Sequence, residues 1–500
     1  MNHDLDSQSI NDDIKENNYK TYTDSANPFQ PLYAKLVLLK INLLTRFKPP
    51  LQFLLAVFLV LSGSSSLYDR SQSATNLRVE DLPVLSLDWV RRILVIAPHP
   101  DNEILASGGL MQIAFDRGID VRVAIITNGD GQYLASLALH GQPFPQNADF
   151  VNFGELRQRE SLAALEHLGV GSDHVYFLGY PDRGLEGLWL ADWNQGCPLA
   201  SRYTRVNRSP YGGTYNPEAS YCGRDLVQDL RQIINSFQPD LVVLRQPNDK
   251  HPEHSTASAF TRLALSQVMA ANPEYRPQAI GYIIHYGLFP KLRGTHITAA
   301  LLPPAPLSGK NEKWMKLNLS PLQAQTKLNA MKLYGMQVRL MGKFLFSFAR
   351  ANELYVTLPT LDFLPLEYDS LTLPESDNAP AFNWGEPVRE STRRLLVPGT
   401  DLVGWDIARL SDVLFLKAET RGTLMAGMQY RILIKTSDGD TIVYTPNNSE
   451  MILGARSFSI IIHLEELGEP EVLGFAAEVH NGITLDRSGW NLVVLRDWLP

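Results

Sequence analysis

Short apolar runs alternate with helical patterns between residues 92 and 286, and this alternation constrains the fold more than any other feature. Residues 92–97 and 121–127 are apolar runs that end at Pro98 and Asn128, as buried strands do. Further runs lie at residues 174–179, 241–244 and 282–286. Strands that alternate with helices require right-handed crossovers, so the predicted fold class is α/β, with a parallel sheet covered by helices.

Polar segments directly follow four of these runs, at residues 98–103, 128–130, 180–182 and 248–254. In an open parallel sheet the carboxyl ends of the strands lie at one edge, where ligands bind, so we expect the four segments to meet there. Two segments supply imidazoles and carboxylates, namely His99, Asp101, Asn102, Glu103, His251, Glu253 and His254. A hydrolytic zinc site needs about three such ligands, an open position for water and an unligated carboxylate to accept its proton.

Several of these residues could instead have a purely structural role. His251 and His254 could begin a helix and bond to backbone groups, and Asp101 could cap the helix that follows it. Asn128 and Asp130 are typical of a turn. Both histidine clusters nevertheless fall on one predicted edge, which favours a functional site.

Residues 98–103 (PHPDNE), with Gly108 and Gly109 after them, resemble the (A/P)HPDDE…GG signature of the PIG-L/LmbE family of zinc-dependent N-acetylglucosaminyl deacetylases. Residues 251–254 (HPEH) resemble the later HPDH segment of that family. The resemblance covers roughly residues 90–355. It implies a Rossmann-like sheet, one zinc ion per chain and an N-acetylated amino-sugar substrate.

The resemblance also implies roles for individual residues. His99 and His254 would be metal ligands, Asp101 the general base, and His251 the residue that polarises the carbonyl or stabilises the oxyanion. Arg157 would contact the substrate. The remaining candidates for substrate binding are Asn128 and Asp130.

Two positions depart from the family pattern. Asn102 stands where the family has its second Asp, the usual carboxylate ligand, so a site of His99, Asn102 and His254 should hold zinc more weakly. Glu253 replaces the Asp of HPDH and keeps a charge that could orient His251, which makes Asp101, His251 and Glu253 the predicted catalytic set. We expect an N-acetyl sugar deacetylase. The alternatives are a sugar-binding protein that lost turnover at Asn102, and an amidohydrolase for a non-sugar amide.

The N-terminal region predicts a membrane connection. Residues 1–30 are expected to be a disordered tail, residues 31–68 a basic segment with a hydrophobic signal-anchor or signal peptide, and residues 69–90 a linker. The alternative for the apolar stretch is a buried core helix. Lys and Arg precede this stretch, so the catalytic domain is predicted to lie outside the cytoplasm, either membrane-anchored or secreted.

Composition limits the partners and the types of site. The 45 Lys and Arg residues against 53 Asp and Glu residues give a net charge of −8, which argues against nucleic acid as a partner. Only two cysteines are present, so a cysteine-rich zinc site is excluded. Cys197 and Cys222 are candidates for one disulfide if the compartment is oxidising.

The periodicity changes after the predicted deacetylase domain, residues 91–356, and a linker at residues 357–380. Residues 381–500 contain short, evenly spaced runs with alternating polarity, which predict an all-β sandwich accessory domain. We expect its tryptophans, Trp405 and Trp490 among them, to lie in the core more readily than to form a carbohydrate platform.

Overall fold

The structure is a computed structural model, and the residues it describes lie in one compact unit, Ser71–Pro500. They run from 77 to 495, apart from gaps at 142–143, 197, 250, 309–312, 359–361, 364–381, 386–396, 411, 437–438, 440, 469 and 471. The predicted tail, the hydrophobic segment and residues 69–76 of the first linker therefore lie outside the described residues. Within the described part of the chain, none of the helices combines the length and the apolar character needed to cross a bilayer.

A seven-stranded sheet forms the centre of the first part of the unit. Its strands are β1 (Arg92–Ala97), β2 (Asp120–Thr127), β3 (Val175–Tyr180), β4 (Leu241–Arg245), β5 (Gln278–Tyr282), β6 (Trp314–Asn318) and β7 (Asn352–Leu358). The order is β3-β2-β1-β4-β5-β7-β6. The first five strands are parallel, which confirms the predicted α/β class, while β7 and β6 add an antiparallel edge.

Eight helices of the described residues accompany this sheet: α1 (Asn102–Asp116), α2 (Tyr133–His140), α3 (Asn147–His167), α4 (Leu185–Leu190), α5 (Gly223–Phe237), α6 (Pro252–Ala271), α7 (Pro321–Lys332) and α8 (Gly335–Leu345). Helix α1 is kinked at Ser107. There the Glu353 carboxylate accepts hydrogen bonds from the backbone N–H groups of Gly109 (2.7 Å) and Leu110 (2.9 Å). Lys327 Nζ neutralises this buried carboxylate at 2.5 Å. The kink therefore has a fixed partner, which holds the start of α1 in place.

The C-terminal part contains two further sheets. The five-stranded sheet has the order β14-β15-β11-β10-β9, with β9 (Phe382–Gly385), β10 (Leu402–Leu410), β11 (Val413–Thr420), β14 (Ile452–Leu453) and β15 (Ser457–His463). The other has the order β13-β12-β16-β18-β8, with β17 paired to β16; its strands are β8 (Asp362–Phe363), β12 (Gln429–Thr436), β13 (Thr441–Tyr444), β16 (Val472–Asn481), β17 (Ile483–Arg487) and β18 (Asn491–Val494). Every pairing is antiparallel except β18 with β8. Trp405, Leu414, Ile432 and Phe475 share one core between the sheets, so the predicted all-β sandwich is confirmed.

The sandwich packs directly on the first part of the unit. Leu433, Ala476 and Trp490 belong to the same apolar core as the strands of the seven-stranded sheet. The Trp490 ring lies 5.5 Å from the ring of Trp189 on α4, edge to face. Arg262 on α6 donates to the Leu492 carbonyl at 3.3 Å. The outer face of one sandwich sheet is therefore buried against α4 and α6.

The predicted disulfide lies outside the described residues, because Cys197 does. Cys222 is a buried thiol at the start of α5, and burial raises its pKa to about 11. A thiol held in its protonated form is a poor nucleophile. The tryptophan prediction is confirmed at two positions, since Trp405 is 1% exposed and Trp490 2% exposed.

Candidate active site

The site begins where β1 ends. Asp101 has φ 96°, in the left-handed region that a residue other than glycine seldom adopts. Its side chain makes no cap to α1. Instead Oδ1 accepts from Asn102 Nδ2 at 2.7 Å, and Oδ2 accepts from Arg157 Nη2 at 3.2 Å. The structure therefore turns the Asp101 carboxylate away from the helix end and fixes both of its oxygens.

Three imidazoles from the two predicted segments come together. The His99 ring centroid lies 5.2 Å from that of His251 and 5.3 Å from that of His254, and the last two lie 4.3 Å apart. One ring nitrogen from each histidine lies within 4.8 Å of the others. His99 Nδ1 bonds to Thr127 Oγ1 on the neighbouring strand at 2.8 Å, which leaves Nε2 as the nitrogen that faces the site.

Burial favours the neutral form of all three imidazoles. Burial lowers the pKa of His99 and of His254 well below the usual value, and it lowers the pKa of His251 as well. Neutral imidazole keeps a lone pair for a metal ion. Burial acts in the opposite direction on Asp101, where it outweighs the Arg157 charge and raises the pKa to about 7. A carboxyl group in that range can both accept and release a proton near neutral pH.

Asp249 organises the second histidine pair, and the sequence analysis assigned it no role. Its carboxylate accepts from His254 Nδ1 (2.9 Å), Arg245 Nη1 (2.9 Å), and the backbone N–H groups of His251 (3.1 Å), Ile284 (2.9 Å) and His285 (3.0 Å). Burial would raise its pKa, but its contacts with His254 and Arg245 hold that pKa well below the usual range. Asp249 thereby fixes the tautomer and orientation of His254, as partners of metal-binding histidines do.

Arg245 also approaches the other nitrogen of His254. Its Nη2 lies 3.2 Å from His254 Nε2, which accepts a hydrogen bond in this geometry. A metal ion at His254 would compete with this guanidinium for the same lone pair. Of the two predicted histidine ligands, His99 therefore has the less obstructed donor atom.

The two positions that depart from the family pattern both leave a buried oxygen open. Asn102 Oδ1 has no hydrogen-bond partner among the described residues. Glu253 Oε1 accepts from Gly184 N (3.1 Å) and Leu185 N (3.4 Å), whereas Oε2 has no hydrogen-bond partner in the described part of the chain and lies 3.4 Å from His99 Nε2. The structure thus directs Glu253 to His99 and α4, in place of the expected orientation toward His251.

These donors fit a divalent metal ion. Neutral imidazoles and open buried oxygens converge from two strand ends, and buried polar atoms without partners are rare unless a ligand or water completes them. A second possible ligand group, formed by His99, Asp182 and Glu253, adjoins the three histidines. The arrangement therefore offers both imidazole and carboxylate donors.

The three predicted substrate-binding residues lie beneath the edge of the sheet. Arg157 is 1% exposed, and its guanidinium bonds to the carbonyls of Pro100 and Gly129 as well as to Asp101. Asn128 is fully buried, and neither end of its amide has a partner among the described residues. Asp130 Oδ2 accepts from Tyr211 at 2.5 Å. In this geometry Arg157 supports Asp101 from behind and has no open surface for a substrate.

Glu103 also has a structural environment. Its Oε1 accepts from Tyr334 at 2.5 Å and from Ser161 at 2.8 Å, so this carboxylate joins α1 to α3 and to the residue that precedes α8. Sequence reasoning underestimated Asp182 and Asp249, although both follow strands of the same sheet. Their position after β3 and β4 is the signal that could have identified them.

The sequence comparisons agree with this geometry. A family model described as PIG-L, GlcNAc-PI de-N-acetylase, matches residues 94–265, a range that holds both histidine segments. The resemblance to the PIG-L/LmbE family is confirmed. Outside the PIG-L match lie β5 to β7 and the whole sandwich.

Two curated relatives and one solved structure illustrate the similarity. 1D-myo-inositol 2-acetamido-2-deoxy-alpha-D-glucopyranoside deacetylase of Mycobacterium sp. (strain KMS) is 29% identical over 204 residues, which cover 39% of this chain and 56% of the relative. The enzyme of the same name from Corynebacterium glutamicum (strain R) is 27% identical over 181 residues, 35% of this chain and 53% of the relative. The chain thus spans little more than half the length of these relatives. The structure of N,N'-diacetylchitobiose deacetylase from Pyrococcus horikoshii superposes on this chain with a TM-score of 0.34 and 15% sequence identity. The match covers 59% of this chain and 92% of the Pyrococcus chain.

Proposed function

We propose that this chain is a metal-dependent hydrolase that removes the acetyl group from an N-acetylglucosamine-type amino sugar or its conjugate. The observation that carries the proposal is the cluster of His99, His251 and His254, with the buried Asp101 two residues after His99, inside the range that matches the PIG-L model. The names of the curated relatives support the substrate class. The alternative of a sugar-binding protein without turnover gains no support from them.

His99, Asn102 and His254 would hold the metal ion, for which zinc is the proposed identity and one ion per chain the proposed content. Such an ion lowers the pKa of a coordinated water and polarises the acetamide carbonyl. Asp101 would accept the proton of the attacking water and pass it to the leaving amine, so that acetate and a free amine are released. His251, half-buried, would donate a hydrogen bond to the carbonyl oxygen as negative charge develops on it.

Asp101→Asn tests the proposed base. The amide keeps the size of the side chain but cannot accept the proton, so kcat for acetate release from a simple N-acetylglucosaminide should fall by roughly 10²–10⁴. Bound metal, measured by elemental analysis, should stay unchanged. Asp173→Asn, which alters a largely exposed carboxylate, is the matched control. Unchanged turnover would remove Asp101 from the mechanism, and loss of metal would make it a ligand instead.

We further propose that the catalytic part acts outside the cytoplasm, either secreted or anchored by the hydrophobic segment within residues 31–68. The support is the excess of Lys and Arg before that segment. A C-terminal reporter that is active only outside the cytoplasm should therefore be active on the full chain. Recovery of the full chain entirely in the soluble cytosolic fraction would contradict this.

A further inference from the structure

The usual carboxylate ligand of the family is missing from this chain, and the structure shows a second obstacle to the expected ligand set. Asn102 brings no negative charge, and Nε2 of His254 already accepts a hydrogen bond from Arg245 at 3.2 Å. Metal sites of the hydrolytic zinc type normally include donors that offset the charge of the cation. Another buried carboxyl group within reach of the donor atom of His99 could supply the missing charge.

Glu253 has the required reach and an open oxygen. Its side chain is 4% exposed, and Oε2 lies 3.4 Å from His99 Nε2 without any hydrogen-bond partner among the described residues. Two ligand atoms on one tetrahedral zinc ion, each at about 2.0–2.2 Å from it, are separated by roughly 3.4 Å. The observed separation of the two atoms is therefore that of neighbouring ligands on one ion.

The backbone around Glu253 holds this oxygen in place. Oε1 accepts from the N–H groups of Gly184 and Leu185 at the start of α4, so rotation of the carboxylate away from His99 would break two hydrogen bonds. An aspartate at the same position is shorter by one methylene group and could not make both contacts from the same backbone. The longer side chain is thus the feature that separates this chain from the HPDH pattern and that brings a carboxylate to His99.

Asp182 adds a second carboxyl group near the other nitrogen of the His99 ring. Its Oδ1 lies 3.7 Å from His99 Nδ1, and its Oδ2 accepts from Gly131 N at 2.8 Å. His99, Asp182 and Glu253 each offer one ligand atom within 4.8 Å of the others. The two carboxyl groups also hydrogen-bond each other when Glu253 is protonated, and burial together with the Asp182 charge raises the pKa of Glu253 well above its usual value, so a metal ion bound here would displace a proton from this pair.

We infer that Glu253 supplies the anionic ligand of the metal site, in place of the carboxylate that Asn102 lacks, with Asp182 as a neighbouring carboxylate. This inference rests on the proposed metal-dependent function, but it concerns which residue carries the charge. The longer carboxylate side chain at residue 253 would then compensate for the carboxylate that is missing at residue 102.

The test is zinc affinity of the full chain, measured by competition with a chromophoric chelator, which does not depend on turnover. Glu253→Gln keeps the size of the side chain and one carbonyl oxygen for Gly184 and Leu185, but removes the charge. Its dissociation constant for zinc should rise by more than roughly 100-fold, beyond the roughly 10–100-fold expected for a residue that only supports a ligand. Adding Asn102→Asp to Glu253→Gln should recover affinity, because it restores a carboxylate at the family position.

Two further measurements keep the result interpretable. Asp229→Asn changes a buried carboxylate whose partners are Tyr180 and Asn216, so it should leave zinc affinity unchanged. The visible absorption of cobalt(II) bound to the full chain should change in Glu253→Asp, since the shortened side chain leaves the coordination sphere. This second variant covers the case in which Glu253→Gln does not fold.

The outcomes separate the inference from the proposed function. Unchanged zinc affinity in Glu253→Gln, with loss of affinity in Asn102→Ala, would overturn the inference and leave the metal-dependent function standing. Zinc binding that is absent in the unaltered chain, or that survives His99→Ala, would contradict the proposed function itself.

Discussion

At the scale of single residues, two opposing effects set the pKa of Asp101. Burial raises its pKa to about 7, and the Arg157 guanidinium limits the rise. Sequence motifs placed Asp101, His99, His251 and His254 together at one edge, because the two segments that hold them follow the neighbouring strands β1 and β4. They could not show that Arg157 lies behind Asp101, since that contact depends on the path of α3.

The raised pKa of Asp101 predicts a pH dependence of stability in the metal-free protein. Between about pH 4 and pH 7 the folded state keeps a proton on Asp101 that the unfolded state has released, so the free energy of unfolding should fall as the pH rises through this window. Asp101→Asn removes the titrating group and should reduce this fall by up to about 4 kcal/mol. Denaturant unfolding at several pH values measures it.

The control for this experiment is Asp88→Asn, because the Asp88 carboxylate is 86% exposed. It should give the same pH profile as the unaltered chain. Parallel profiles for the unaltered chain and Asp101→Asn across the window would mean that Asp101 is ionised in the folded state at acidic pH.

At the scale of elements, periodicity predicted which segments are strands and which are helices better than it predicted the residues at which they begin and end. The strand expected at residues 282–286 is β5, Gln278–Tyr282. The amides of Ile284 and His285 instead bond to Asp249, so they leave the sheet and approach the site. The antiparallel edge formed by β6 and β7 could not be predicted either, because a short apolar run carries no signal for its direction.

Leu319 packs closely against Gly109, two residues after the kink in α1, which leads to a prediction at this scale. A Cβ atom at residue 109 would lie 2.4 Å from Leu319 Cδ2, and the backbone cannot move easily because Gly109 N is bonded to Glu353. Gly109→Ala should therefore lower the free energy of unfolding by about 1–3 kcal/mol. It should also weaken metal binding, since α1 begins at Asn102.

Gly212→Ala is the matched control for this substitution. No atom lies within 4 Å of a Cβ built at residue 212, so this variant should unfold like the unaltered chain. Equal stability of the two alanine variants would show that Leu319 and α1 adjust without cost.

At the scale of the whole molecule, the sequence indicated two architectures but not how they meet. The alternating pattern after residue 381 predicted the sandwich, and the structure buries one face of it on α4 and α6. That contact depends on Trp189, Trp193 and Lys435, whose Nζ lies 4.2 Å from the Trp193 ring centroid. Such pairs are far apart in sequence, so no local pattern shows them.

The shared core predicts that the two parts unfold together. Trp490 is 2% exposed and contacts Trp189 of α4, so Trp490→Ala should leave a cavity at the junction and destabilise the chain by about 3–5 kcal/mol. If the two parts form one cooperative unit, hydrogen exchange should accelerate both in β16 and in α6, although α6 lies in the other part.

Trp405→Ala is the comparison, because Trp405 lies between the two sheets of the sandwich and is 1% exposed. Faster exchange confined to the sandwich in both variants would instead establish that the sandwich unfolds independently, and that the junction transmits no stability to the segments that carry His99 and His254.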